Sequence, residues 1–108
     1  MSIRSVSEPS DWIVYILECA DQTLYTGITN DLDHRIHEHE NGRGAKYTRG
    51  RAPFKLLYSE LHPSRSQALK HEAEIKSFDR ATKLELVGLL RIVEMIQYRD
   101  LELAQLRV

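Results

Sequence analysis

Tyr15 and Tyr25 stand ten positions apart in IVYILECADQTLYTG, and Gly27 follows the second two residues later. A phenol can donate or surrender a proton, and a glycine nearby leaves space beside it. Further on, Arg35 and His39 are four apart in LDHRIHEHE, the separation that puts two side chains on one face of a helix. A guanidinium offers paired donors to a phosphate, and an imidazole can hold a proton near neutral pH. Glu72 is the third feature. With Ala68 set at zero and ~100° per residue, Ile75 falls at about −20°, Leu69 at about 100° and Ala73 at about 140°. Glu72, at about 40°, then lies inside the apolar arc, where a carboxylate calls for a cation, a metal ion or a raised pKa. Glu74, at about 240°, faces solvent.

These groups need elements to hold them. The run WIVYILE, rich in β-branched and aromatic residues, predicts a strand buried on both faces, and TLYTGIT predicts a second strand a hairpin's length away. If Glu18 pairs with Leu24, Leu17 lies opposite Tyr25 and Tyr15 opposite Gly27, so both phenols share one face of the sheet. The plain alternative is two core tyrosines with hydrogen-bonded hydroxyls. NDLDHRIHEHENG predicts a short helix with an Asn30 cap, acids in its first turn and a stop at Gly42. Arg35 and His39 fall beside its Leu32/Ile36 stripe, at the margin of the sheet. His34, His37 and His39 invite a metal, but His37 and His39 are two apart and point different ways, so no histidine metal site is expected there. FKLLYSEL predicts a third strand, and PSRSQALKHEAEIKSF a second helix capped by Ser64. From Ala81 onward helical spacing without proline predicts one long helix or two shorter ones. The order β-β-α-β-α-α implies an α+β domain with a small three-stranded antiparallel or mixed sheet flanked by helices.

The chain has 108 residues, enough for one domain, and a single cysteine, Cys19, which excludes an internal disulfide and any multi-cysteine zinc site. No run approaches a signal peptide's apolar stretch or the ~20 apolar residues of a membrane span, so a cytoplasmic protein is expected. A net charge of −1 argues against nucleic acid until its distribution is considered. Residues 1–33 carry one basic and six acidic groups, residues 34–55 six and two, and residues 56–108 eight of each. Within NGRGAKYTRGRAPFK, Arg43, Lys46, Arg49, Arg51 and Lys55 lie among three glycines with no acid between them. Such a loop can bring cations and backbone N–H groups to a phosphate, against the plain alternative of a solvated basic loop.

IVY at 13–15, YTG at 25–27, Arg35 with His39 and a glutamate on a later helix, in this order and spacing, resemble the GIY-YIG nuclease superfamily. GRGAKYTRGRAPFKLLY and SQALKHEAEIK are similar to its small stand-alone bacterial branch, YhbQ-like, and the likeness runs from about Trp12 to Leu86. The resemblance implies the GIY-YIG fold and a metal-dependent DNA phosphodiesterase, an endonuclease or exonuclease serving repair or recombination. It implies Tyr15, Tyr25, Arg35 and His39 as catalytic residues, and Glu72 as the ligand of Mg²⁺ or Mn²⁺. Gly27, Arg43, Lys46, Tyr47, Thr48 and Arg49 are expected to meet the nucleic acid, mainly through backbone phosphates. The expected layout is a flexible tail over 1–11, the nuclease domain over 12–86 and a helical extension over 87–108. That extension is open to a homodimer or a protein partner. Two departures stand out: Ile13 and Val14 replace the glycine and isoleucine of the first motif, and no asparagine follows the second helix. The competing reading is a catalytically silent nucleic-acid-binding module on the same fold.

Overall fold

The WIVYILE run becomes the middle strand of a sheet, which is why it can be apolar on both faces. The computed structural model describes residues 11–106, with the side chains of 11–99. The expected flexible tail over 1–11 therefore lies, apart from Asp11, outside the described residues. Three strands, β1 (Trp12–Glu18), β2 (Leu24–Thr29) and β3 (Lys55–His62), form one sheet in the order β2-β1-β3. Both pairings are antiparallel, which settles the choice between an antiparallel and a mixed sheet. The hairpin register is Glu18 with Leu24, Leu17 with Tyr25 and Tyr15 with Gly27, as the period-two argument requires. Between β1 and β3 an irregularity at Ile16/Leu17 leaves Tyr58 opposite Ile16 and Leu56 opposite Leu17.

The odd-numbered side chains of β1 define one face. Ile13, Tyr15 and Leu17 are buried there with Leu32 of α1 (Leu32–Glu40), and Tyr25, Ile36, Phe54 and Leu56 pack against them. The alternate residues Val14 and Ile16 point to the opposite face and are fully buried. Helix α2 (Arg65–Lys76) packs on the sheet through the buried Ala68 and Ile75. Its Ser64 cap accepts a hydrogen bond from Gln67 N at 3.2 Å. Helix α1 is capped by Asp31 rather than Asn30: the Asp31 carboxylate takes His34 N at 3.2 Å, and its own N–H binds Thr29 Oγ1 at 3.0 Å. Asn41 closes α1, and Gly42 follows it at φ 73°, where the left-handed backbone favours glycine.

The chain divides into two compact units, Met1–Ser77 and Phe78–Val108. The first holds the sheet, α1 and α2. In the second, one continuous helix, α3 (Arg80–Leu106), starts from Asp79, whose carboxylate accepts Thr82 N at 2.8 Å. Its Leu89, Ile92, Val93, Met95, Ile96 and Tyr98 are exposed. No helix among the described residues is long and apolar enough to cross a membrane.

Candidate active site

Strand register delivers Tyr15 and Tyr25 to one face, with ring centroids 6.1 Å apart, and Gly27 is what permits it. A Cβ at position 27 would lie 2.7 Å from Tyr15 Oη, 2.9 Å from Tyr15 Cζ and 2.8 Å from Tyr25 Cε2. Helix α1 then brings its last turn over the rings. His39 is only 1% exposed, and its ring meets Tyr15, Tyr25 and Phe54 edge-on at centroid distances of 5.9, 5.2 and 5.9 Å. Gly44 allows the following loop to pass against the imidazole: a Cβ there would collide with Nδ1 and lie 2.9 Å from His39 Cα.

The polar atoms form one directed chain. Thr48 Oγ1 donates to Ala45 O at 2.8 Å, and a hydroxyl has only one proton. In its contact with His39 Nδ1 at 2.7 Å, Thr48 can therefore only accept, which places the imidazole proton on Nδ1. Nε2 is left with a lone pair, so Tyr15 Oη donates to it at 2.8 Å. Burial, followed by the neighbouring Arg35 charge, pushes the His39 pKa down to about 4 against a weaker opposing pull from Glu38. The ring is neutral at pH 7. Burial, and then Tyr25, hold the Tyr15 hydroxyl far above the ordinary phenol range, with Arg35 acting in the opposite direction. Arg35 is partly desolvated, which alone would loosen its proton, yet Tyr15, Tyr25 and Glu38 outweigh that and hold it more firmly. Its Nη1 lies 3.6 Å from Glu38 Oε1.

The basic loop adds a stacked layer. A 3₁₀ turn at Lys46–Thr48 lays Tyr47 on Tyr25, with centroids 6.0 Å apart and planes at 26°, and the Arg51 guanidinium covers Tyr47 at 4.4 Å. Arg51 is itself fixed by Asp21 at 2.6 Å. Arg43, Lys46, Tyr47 and Arg49 are exposed, whereas Thr48 is buried with its hydroxyl already engaged by His39 and Ala45.

Glu72 takes part in none of these ring and hydroxyl contacts. Its side chain is 16% exposed, and Oε2 lies 3.6 Å from the Nζ of the more exposed Lys76. The buried centre of α2 is Ala68 and Ile75; Leu69 and Ala73, expected in the apolar arc, are exposed, and His71 and Glu72 flank the centre half-buried. The open sheet is the physical reason, since a helix laid across one face of three strands buries only the stripe in contact and leaves the rest of its arc to solvent. A lone, half-buried carboxylate with a displaceable lysine suits a hard cation that keeps several waters. Sequence reasoning missed Thr48 as the partner that sets the His39 tautomer. The signal was the close approach of Gly44, which reads in sequence only as loop composition.

The family model described as the GIY-YIG catalytic domain matches residues 11–85. A UPF0213 protein of Oceanobacillus iheyensis is 54% identical over 74 residues, which is 68% of this chain and 86% of that protein. The solution NMR structure of a UPF0213 protein from Bacillus halodurans is 49% identical, with TM-score 0.50, over 73% of this chain and 84% of that one. The solution NMR structure of a protein from E. faecalis is 34% identical, with TM-score 0.56, over 79% and 90%.

Proposed function

The chain belongs to the GIY-YIG family, and from that premise we propose that it is a divalent-metal-dependent phosphodiesterase that cuts DNA in the cytoplasm, in repair or recombination. The observation that carries the reading is the directed chain Tyr15 Oη–His39 Nε2 with Arg35 beside it. A core tyrosine needs a hydrogen-bond partner, but it does not need a buried neutral base and a guanidinium together.

In this reading a backbone phosphate rests against Arg35, which stabilises the charge that develops on the phosphoryl oxygens. Tyr15 is buried in the free protein; with the substrate and its attacking water seated against Tyr15 Oη, it passes its proton to His39 Nε2 as it takes one from that water. Ionising Tyr15 beforehand is uphill, because the phenol is raised and His39 is depressed to about 4. The transfer therefore proceeds only as negative charge builds on the substrate, which favours catalysis over idle ionisation. Tyr25 fixes the ring of Tyr15, and Thr48 fixes the tautomer of His39. Arg43, Lys46 and Arg49 hold flanking phosphates, and Tyr47, its ring already covered by Tyr25 and Arg51, meets the nucleic acid by its exposed edge. Glu72 would hold Mg²⁺ or Mn²⁺, which when bound supplies positive charge for the leaving oxygen.

The test is incubation with labelled single-stranded, duplex, flap and branched DNA, with Mg²⁺ or Mn²⁺ and then with chelator. Tyr15→Phe and Glu72→Gln should abolish cleavage while the fold and DNA affinity persist; Glu74→Gln should change little. Binding of DNA without cleavage of any substrate would overturn the reading in favour of the silent binding module.

A further inference from the structure

On the face of the sheet opposite Tyr15, the far end of β3 and the second turn of α2 bring three other side chains together. Glu60 and His62 are two apart on β3, opposite Val14 and Trp12, and so point to the α2 side. His71 comes down from α2 to meet them. His62 Nε2 and His71 Nδ1 are 2.9 Å apart, and Glu60 Oε1 lies 3.5 Å from the first and 3.6 Å from the second. A triangle with these edges has its corners about 2 Å from one common point, and ligand atoms about 2.0–2.1 Å from a tetrahedral Zn²⁺ are about 3.3 Å apart. A hydrogen bond between the two imidazoles accounts for the shortest edge alone. It gives no reason for the carboxylate oxygen to stand nearly equidistant from both nitrogens.

The surroundings are consistent with the same occupant. The other Glu60 oxygen, Oε2, receives the Tyr58 hydroxyl, which turns Oε1 toward the imidazoles as a single-oxygen ligand. The histidine side chains are 16% and 21% exposed, and a shallow cleft of about 350 Å³ with Gln67, Lys70 and Glu74 on its walls opens beside them. A fourth ligand, a water, has access.

We propose that Glu60, His62 and His71 form a site for a borderline-soft divalent ion of the Zn²⁺ class, clamping β3 to α2 with a water in the fourth position. Two imidazoles select against Mg²⁺, so this site is chemically distinct from the one assigned to Glu72 and is independent of the nuclease reading.

Tag-free protein, stripped with chelator and held in millimolar Mg²⁺, is titrated with ZnCl₂ alone by calorimetry. One ion per chain is expected, together with a rise in melting temperature. His62→Gln and His71→Gln should each weaken binding by more than about a hundredfold, and Tyr58→Phe, which keeps the packing, by about ten- to a hundredfold. Glu72→Gln should bind Zn²⁺ as the parent does. Circular dichroism checks each variant, and Co²⁺ bound to the parent protein reports the coordination without any substitution: an intense four-coordinate visible spectrum is expected. A pale six-coordinate spectrum, no one-to-one Zn²⁺ binding, binding that survives both histidine changes, or loss confined to Glu72→Gln would each overturn the site.

Discussion

Lowering the pH should destabilise this protein through His39, and the size of the effect follows from the site. The imidazole is 1% exposed and neutral in the fold, with its pKa pushed from an ordinary 6.5 to about 4. Below pH 6.5 the unfolded chain binds a proton at this residue and the folded one does not, so stability rises with pH across the window. The contribution is complete above 6.5 and is lost progressively as pH falls through the folded value near 4. A difference of this size, at about 1.4 kcal/mol per unit, amounts to roughly 3 kcal/mol. That is a large share of the ~5–15 kcal/mol that holds a domain together. The assay is urea unfolding followed by circular dichroism at pH 7.5, 6.5, 5.5 and 4.5 for the parent and for His39→Gln. The substitution also removes hydrogen bonds, but that loss is the same at every pH. The difference between the two proteins should therefore shrink steadily below pH 6.5, by roughly 2 kcal/mol at pH 5. A difference that stays constant from pH 7.5 to 4.5 would mean that His39 titrates in the fold as it does in the unfolded chain, and a difference that grows would mean that the fold holds it protonated; either would refute the neutral buried imidazole and the relay built on it.

Gly27→Ala should displace both phenol rings, since the new methyl would lie within 3 Å of each; about 1–3 kcal/mol of destabilisation is expected in urea melts, with loss of cleavage exceeding loss of DNA affinity. Arg35→Ala should lower the single-turnover rate about a hundredfold with a smaller change in affinity, and lysine should rescue only partly. An effect on affinity alone would identify a binding module. Lys46→Ala and Arg49→Ala should each flatten the salt dependence of DNA binding by about one unit of slope without changing sequence preference, as measured by salt titration.

What was legible in the sequence was the part that depends on local periodicity. The period of two placed Tyr15 opposite Gly27, and the apolar run of β1 marked a strand buried on both faces, which the sheet order makes the central one. Capping of α1 was misjudged by one residue because Asn30 and Asp31 are both good caps; Thr29, which binds the Asp31 N–H, decides between them. The spread of the α2 arc to Leu69 and Ala73 was overestimated because helical phase says nothing of how wide a sheet the helix covers. Contacts across the fold were not legible. Helical spacing put His39 beside the sheet, but not against Tyr15 with its other nitrogen on Thr48. Glu60 and His62 already alternate correctly on β3, yet His71 joins them only because the intervening turn folds α2 back.

The hydroxyl-to-imidazole chain ends on the carbonyl oxygen of Ala45, a group that accepts a hydrogen bond but does not take up a proton. Any proton that enters from Tyr15 can therefore advance no farther than His39. The imidazole is enclosed, so it has no second mouth to solvent. The arrangement is a closed reservoir rather than a conduit: Tyr15 is itself wholly buried, so a proton taken in at His39 can leave only through the Tyr15 hydroxyl, and only to a group brought against that oxygen.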